Sequence, residues 1–147
     1  MRTRHLFIVL VLLALALPAP SVQEGGVVTV CDEAHLLAAL AGGGTVTFAC
    51  SGTIVLTNTI MVSADTTIDG SGQSVTISGN NAVQVFRVDS GIALNLNGLT
   101  VARGNTIGGS GGIANYGILT INNSTLVDHH AWSGGGAIGN HHGRVAV

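Results

Sequence analysis

LNLNGLTVARGNTIGGSGGIANYGI, from Leu94 to Ile118, is followed at once by LTINNSTLVDHHAWSGGGAIGNHHG, from Leu119 to Gly143. Laid on each other, the two segments match at a step of 25 residues: Leu94 with Leu119, Asn97 with Asn122, Thr100 with Thr125, Gly109 with Gly134, Gly111 with Gly136, Ile113 with Ile138 and Asn115 with Asn140. Leu96/Ile121 and Val101/Leu126 keep apolar character at the same step. A fixed period of this length, filled with short β-type segments, marks a solenoid in which each repeat is one coil stacked on the next.

The parity of the apolar residues shows how a coil is bent. Leu94 and Leu96 are apolar at even positions, whereas Leu99 and Val101 are apolar at odd ones. Successive side chains of a strand point to opposite faces, so both pairs face inward only if the chain turns between them. Asn97-Gly98 marks that turn, and Asn122-Asn123 marks it one repeat later; both residue types tolerate left-handed backbone. Strand, bend, strand and Gly-rich turn make one rung of a parallel β-helix.

Composition agrees with this reading. Apolar residues make up 46% of the chain and aromatic ones only 3%, so a core must be built from aliphatic layers. The 22 glycines, against two prolines, supply turns without removing ladder donors. Threonine occupies outward strand positions (Thr45, Thr47, Thr53, Thr76, Thr100, Thr120), where β-branching suits a half-exposed strand.

Residues 1–21 read as a secretory signal peptide: a basic start with Arg2 and Arg4, an apolar run of 12 residues from Leu6 to Leu17, and small residues before a cleavage point after Ser21. That run is short for a bilayer span, and no later segment is a transmembrane-helix candidate. Export to an oxidising compartment makes Cys31 and Cys50 a disulfide pair rather than two thiols. Between them Asp32 offers an N-cap, Leu36, Leu37 and Leu40 form an apolar stripe, and Gly42-Gly43-Gly44 ends the helix before a strand. This helix is expected to cap the first coil, whose strand edges and core need a cover. The expected organisation is a cap over 22–51, made of strand, helix and strand, and coils over 52–147. The final segment, Gly143 to Val147, reads as the first strand of a further coil with no cap after it. The sequence therefore reads as a fragment of a longer solenoid, with four or five coils and an open C-terminal edge able to self-associate.

CDEAHLLAALAGGGTVTFACSGTIVLTNTIMVSADTTIDG, from Cys31 to Gly70, resembles the N-terminal cap and first coils of pectin-lyase-like right-handed parallel β-helices. Gly111 to Asn115 and Gly135 to Ile138 resemble the GGAI-type repeats of bacterial polymorphic outer-membrane proteins and related surface β-helix proteins. The comparable repeats of that group carry Phe-x-x-Asn where this chain has Leu126-Val127-Asp128-His129. The resemblance implies an all-β, right-handed parallel β-helix; the fold itself carries lyases, hydrolases, adhesins and passenger domains alike.

Several side chains are candidates for sites. Lyases of this resemblance hold calcium with clustered acids and use Arg or Lys as base, but the seven carboxylates here are scattered. Arg103 and Asp128 lie 25 residues apart and are expected to stack as a surface ion pair, not as a catalytic couple. The doublets His129-His130 and His141-His142 suggest a metal site, yet the repeat puts them at turn positions and reads them as exposed substitutions. Asn97 with Asn122, and Asn115 with Asn140, are expected to form amide ladders along the axis. Asn122 to Thr125 holds two overlapping sequons, meaningful only in a eukaryotic secretory pathway. No catalytic, metal or cofactor-binding residue is assigned.

Nucleic acid is excluded as a partner, since Arg87, Arg103 and Arg144 are the only basic residues beyond the signal peptide, against seven acids. The expected function is an exported module at the bacterial surface or outside the cell, non-catalytic, structural or adhesive, with outer-membrane association open. Its expected partner is a protein or glycan, met through the loops Gly104 to Gly112 and His129 to Ser133. The alternative is a carbohydrate-binding or polysaccharide-cleaving β-helix whose active coils lie outside this chain.

Overall fold

Stacking of the Leu94 segment on the Leu119 segment is the central feature of the computed structural model, which describes residues 25–147. The segment read above as a signal peptide lies outside the described residues. Strand β8 (Ala93–Asn97) pairs in parallel with β12 (Ile118–Asn122), with Leu94 against Leu119, Leu96 against Ile121 and Asn97 against Asn122. Strands β9 (Thr100–Ala102) and β13 (Thr125–Val127) pair at the same step, as do β11 (Ile113–Asn115) and β15 (Ile138–Asn140). The bend between the first two strands of each coil has left-handed backbone at Gly98 (φ 65°) and Asn123 (φ 48°). Leu96 and Val101 thereby both point inward despite their opposite parity.

The described chain is a parallel β-solenoid of about four turns with one helix near its N-terminus. The first coil contains β2 (Gly44–Phe48), β3 (Gly52–Val55) and β4 (Ile60–Val62). The second contains β5 (Thr66–Asp69), β6 (Val75–Ser78) and β7 (Phe86–Val88). The third adds a short strand β10 (Asn105–Thr106) between β9 and β11, and the fourth adds its counterpart β14 (His130–Ala131) between β13 and β15. A last strand, β16 (Arg144–Ala146), pairs with β12. Three parallel sheets form the walls, in the orders β1-β2-β5-β8-β12-β16, β3-β6-β9-β13 and β4-β7-β11-β15, where β1 is Val27–Val28.

The interior is a set of aliphatic columns. Val46, Ile68, Leu96 and Ile121 stack in one, and Ile54, Ile77, Val101 and Leu126 in a second. Ile60, Phe86, Ile113 and Ile138 form the third, in which Phe86 is the one aromatic member. Outside the second column runs a matching row of Thr53, Thr76, Thr100 and Thr125, in the outward strand positions that favour β-branched residues.

Helix α1 (Glu33–Leu40) closes the N-terminal end and starts at Asp32, whose carboxylate accepts the His35 N–H at 2.8 Å. Leu36 is fully buried and Leu40 half-buried, but Leu37 is 45% exposed, so the apolar stripe is narrower than the sequence pattern implied. A helix of eight residues shows the small coil end only about one residue per turn. Cys31 and Cys50 are joined by a disulfide across a separation of 19 residues, tying the start of the helix to the end of β2. Strand β2, grouped with the cap from sequence, is in register with β5 and is the first strand of the first coil. Glu33 fastens the helix to that coil: its carboxylate accepts the Thr57 N–H and hydroxyl, both at 2.8 Å, and the Asn58 N–H at 3.3 Å. Those donors hold the Glu33 carboxyl below the usual glutamate range, the Thr57 N–H foremost.

Two outcomes follow from this construction. Leu96→Ala is expected to cost about 2–5 kcal/mol in chemical denaturation, and Leu96→Asp, an unpaired charge in the column, to leave no cooperative transition. Because the folded-state pKa of Glu33 is depressed, its contribution is present above the ordinary glutamate value of about 4.3 and is lost as pH falls through the folded value. Denaturation midpoints across that range should fall less steeply in Glu33→Gln than in the parent protein.

Candidate functional site

The connection from the second wall to the third lengthens along the axis, and this builds a ridge. It spans residues 56–59 in the first coil and 79–85 in the second, but 103–112 in the third and 128–137 in the fourth. The longer two run side by side, with Asn105 opposite His130 and Thr106 opposite Ala131 in the β10–β14 pair. Both loops singled out from sequence lie here. The second coil's shorter connection meets the ridge at Asn105, whose N–H donates to the Val83 carbonyl at 2.9 Å and whose side-chain amide donates to the Asn81 carbonyl at 2.8 Å.

Two clefts flank the ridge. One of about 440 Å³ runs along it across the coils, lined by Thr59, Ala82, Val83, Gln84, Asn105, Thr106, Ile107 and Trp132. Ile107 and Trp132, neighbours across the pair, are 86% and 79% exposed. Isolated exposed apolar residues are ordinary, but two together on a rigid projection form a contact point. The other cleft, about 380 Å³, lies against the third wall and shares Gln84 and Thr106 with the first. On its side of the wall three side chains from successive coils form a stack: the Arg87 guanidinium sits 4.9 Å from the Tyr116 ring centre, and Tyr116 stacks on His141 at 4.8 Å and 16°. Gln84 fixes the cleft's rim by donating its amide to the Ser110 carbonyl, and the buried Ser110 hydroxyl donates to the Ile113 carbonyl at 2.8 Å.

The residues expected to matter are placed as follows. Asn115 and Asn140 stack in register, and the Asn115 amide donates to the Asn140 side-chain oxygen at 2.8 Å and to the Arg144 carbonyl at 2.9 Å. Asn115 is fully buried, and its own oxygen accepts the Gly117 N–H. Asn97 and Asn122 also stand in register, but their expected amide ladder is not the arrangement found. Asn97 turns to the coil before it and donates to the Asp69 carboxylate at 3.0 Å and the Ser71 hydroxyl at 2.9 Å. A carboxylate accepts a stronger hydrogen bond than a neutral amide does, and it wins the donor.

Arg103 and Asp128 occupy matching left-handed corners, with φ of 50° and 57°, but among the described residues they form no ion pair within 4 Å. Both side chains are exposed, where water solvates each charge and pairing gains little. Among the described residues Arg87 approaches Asp89 at 3.9 Å, and the Asp32 carboxylate lies 2.7 Å from the His35 ring. The histidine doublets are not uniformly exposed turn residues either. His130 and His142 face solvent, His141 is stacked on Tyr116, and His129 is half-buried with both ring nitrogens bonded to backbone. Among the described residues no three His, Cys, Asp or Glu side chains come together as a metal site.

No family model, curated protein or solved structure matches this chain. The Arg87–Tyr116–His141 stack escaped sequence reasoning, although Tyr116 and His141 are one 25-residue step apart. The repeat suggests an exposed turn residue at His141, whereas two rings at one position on adjacent coils stack.

Burial separates the two asparagine positions. Asn115→Ala is expected to lower stability by about 1–3 kcal/mol, because the Arg144 carbonyl and Gly117 N–H lose a partner. Asn97→Ala, at a half-exposed position, should cost less in the same denaturation series.

Proposed function

We propose that this chain is an exported, non-catalytic β-helix module, of the pectin-lyase-like or polymorphic outer-membrane-repeat kind. It acts at the cell surface or beyond by presenting its loop ridge to a partner. The observation that carries this reading is the exposed Trp132–Ile107 pair on a ridge held by parallel backbone pairing. A preorganised apolar projection loses little entropy on binding, and tryptophan is prominent among residues that dominate interfaces. Much of the polar chemistry is committed to structure: Asn115 to the third wall, Asn97 and Asp69 to the axial ladder, Glu33 to the cap.

One observation favours a glycan over a protein as partner. The 440 Å³ cleft beside Trp132 is lined by amides, hydroxyls and apolar groups with no ionisable side chain. An indole face with neutral hydrogen-bonding groups suits an uncharged sugar ring. Polysaccharide cleavage is the competing reading.

The test is a binding screen against intact cells and immobilised polysaccharides, with product analysis on pectate and polygalacturonate. Binding without product release is expected, and Trp132→Ala should weaken it by at least about tenfold, near 1.4 kcal/mol, without changing the β-sheet signal. Turnover abolished by Arg103→Ala or Asp128→Ala would overturn the non-catalytic reading.

A further inference from the structure

His129 sits where the coil before it has Gly104, and its side chain folds back onto that coil. Nδ1 accepts the Gly104 N–H at 3.0 Å, while Nε2 lies 3.0 Å from the Val101 carbonyl oxygen. One partner is a donor only and the other an acceptor only. The ring therefore fits as the neutral Nε2–H tautomer, and no other protonation state satisfies both groups.

The seat is cut to the ring. A Cβ on Gly112 would lie 3.1 Å from two His129 ring carbons, and one on Gly104 would lie 2.8 Å from Nδ1. Gly104 is packed on its other side as well: the same Cβ position is 2.0 Å from the Gly111 carbonyl oxygen, so only glycine fits there. A proton on Nδ1 would set two N–H donors against each other at 3.0 Å.

We propose that His129 is a proton-operated latch on the loop ridge: neutral, it clamps the fourth coil's loop to the third coil, and protonated, it leaves its seat and frees that loop. The bonds next in line are His130 N–H to the Gly104 carbonyl at 2.8 Å and Trp132 N–H to the Thr106 carbonyl at 3.4 Å. Release loosens the β10–β14 pair and moves Trp132 away from its cleft. The latch stands on this local geometry; that it governs partner binding rests on the function proposed above.

The charged groups around it are few. Asp128, the preceding residue, favours the protonated ring; His130 follows and is exposed; Arg103 stands at the matching corner of the third coil. Strand β9, the loop 104–112 and the segment 133–137 bring no titratable side chain. Burial holds the His129 ring below the ordinary histidine value, outweighing the Val101 carbonyl and Asp128. A histidine with a depressed folded-state pKa contributes stability that is present above about pH 6.5 and is lost as pH falls through the folded value.

Trp132 is the only tryptophan in the chain and reports on the ridge directly. The experiment follows its emission from about pH 8 to about pH 5, together with imidazole NMR and amide exchange of the same protein. Expected are the Nε2–H tautomer of His129 at the upper end and one transition centred below the ordinary histidine value. In that transition Trp132 emission shifts and protection of the His130 amide drops about tenfold or more, while the far-ultraviolet β signal is unchanged. The emission transition should vanish in His129→Gln and persist in His130→Asn. A His129 ring that titrates at the ordinary value with Trp132 unmoved would overturn the latch, as would a transition that survives His129→Gln. The NMR reading on the parent protein decides even if the Gln variant does not fold. A latch that operates in a protein with no surface binding at any pH would leave the latch standing and remove the recognition role.

Discussion

Each strand in this molecule has to satisfy two conditions on the coil beneath it: its backbone must meet a parallel neighbour, and its apolar set must fall inside. Side chains alternate with period two, so a slip of one residue would expose a whole column and bury its polar partners. That constraint fixes the step between coils more tightly than any single contact does. It allows length to vary only where the chain leaves the walls. Between the first and second walls the last two coils have the same tight corner, turned by Gly98 and Asn123 one coil apart, whereas the earlier coils spend residues 49–51 and 70–74 there. Between the second and third walls there is freedom, and the molecule uses it to build the ridge.

The division of labour follows from this. The walls consume aliphatic residues and threonine, which stack well and carry little chemistry. The ridge collects what is chemically distinct: the lone tryptophan, an exposed isoleucine and a histidine held by backbone on both sides. The third wall adds the Arg87, Tyr116 and His141 stack beside it. Recognition by loops on a rigid scaffold is a common solution because loops can change without disturbing the ladders that support them.

The coil architecture was legible wherever the period was strict. From Leu94 onward the residues that pair in space pair in the sequence at one fixed step, and the parity switch at Asn97-Gly98 located the corner. The first coils were less legible because their steps differ: Gly44 pairs with Thr66, but Thr66 pairs with Leu94, the connections between walls having changed length. The site was harder still. The partner of Asn97 is Asp69 on the coil before it, a contact set by competition between acceptors, which no repeat reveals. His129 looked like a turn substitution because its repeat mate is a glycine; that glycine is the reason the imidazole has a seat. Arg103 and Asp128 share a corner as the repeat demanded, yet sharing a corner in water does not make an ion pair.

Coil-on-coil stacking is tested most directly by a double-mutant cycle within one column, using Leu96→Val and Ile121→Val and reading stability by denaturation. Neighbours in a packed column must share their loss, so a coupling energy of about 0.5 kcal/mol or more is expected, whereas Leu96→Val with Ile60→Val, on a different wall two coils away, should be additive. Additivity of Leu96 with Ile121, alongside coupling of Leu96 with Ile60, would contradict the stacking register on which the whole structure rests.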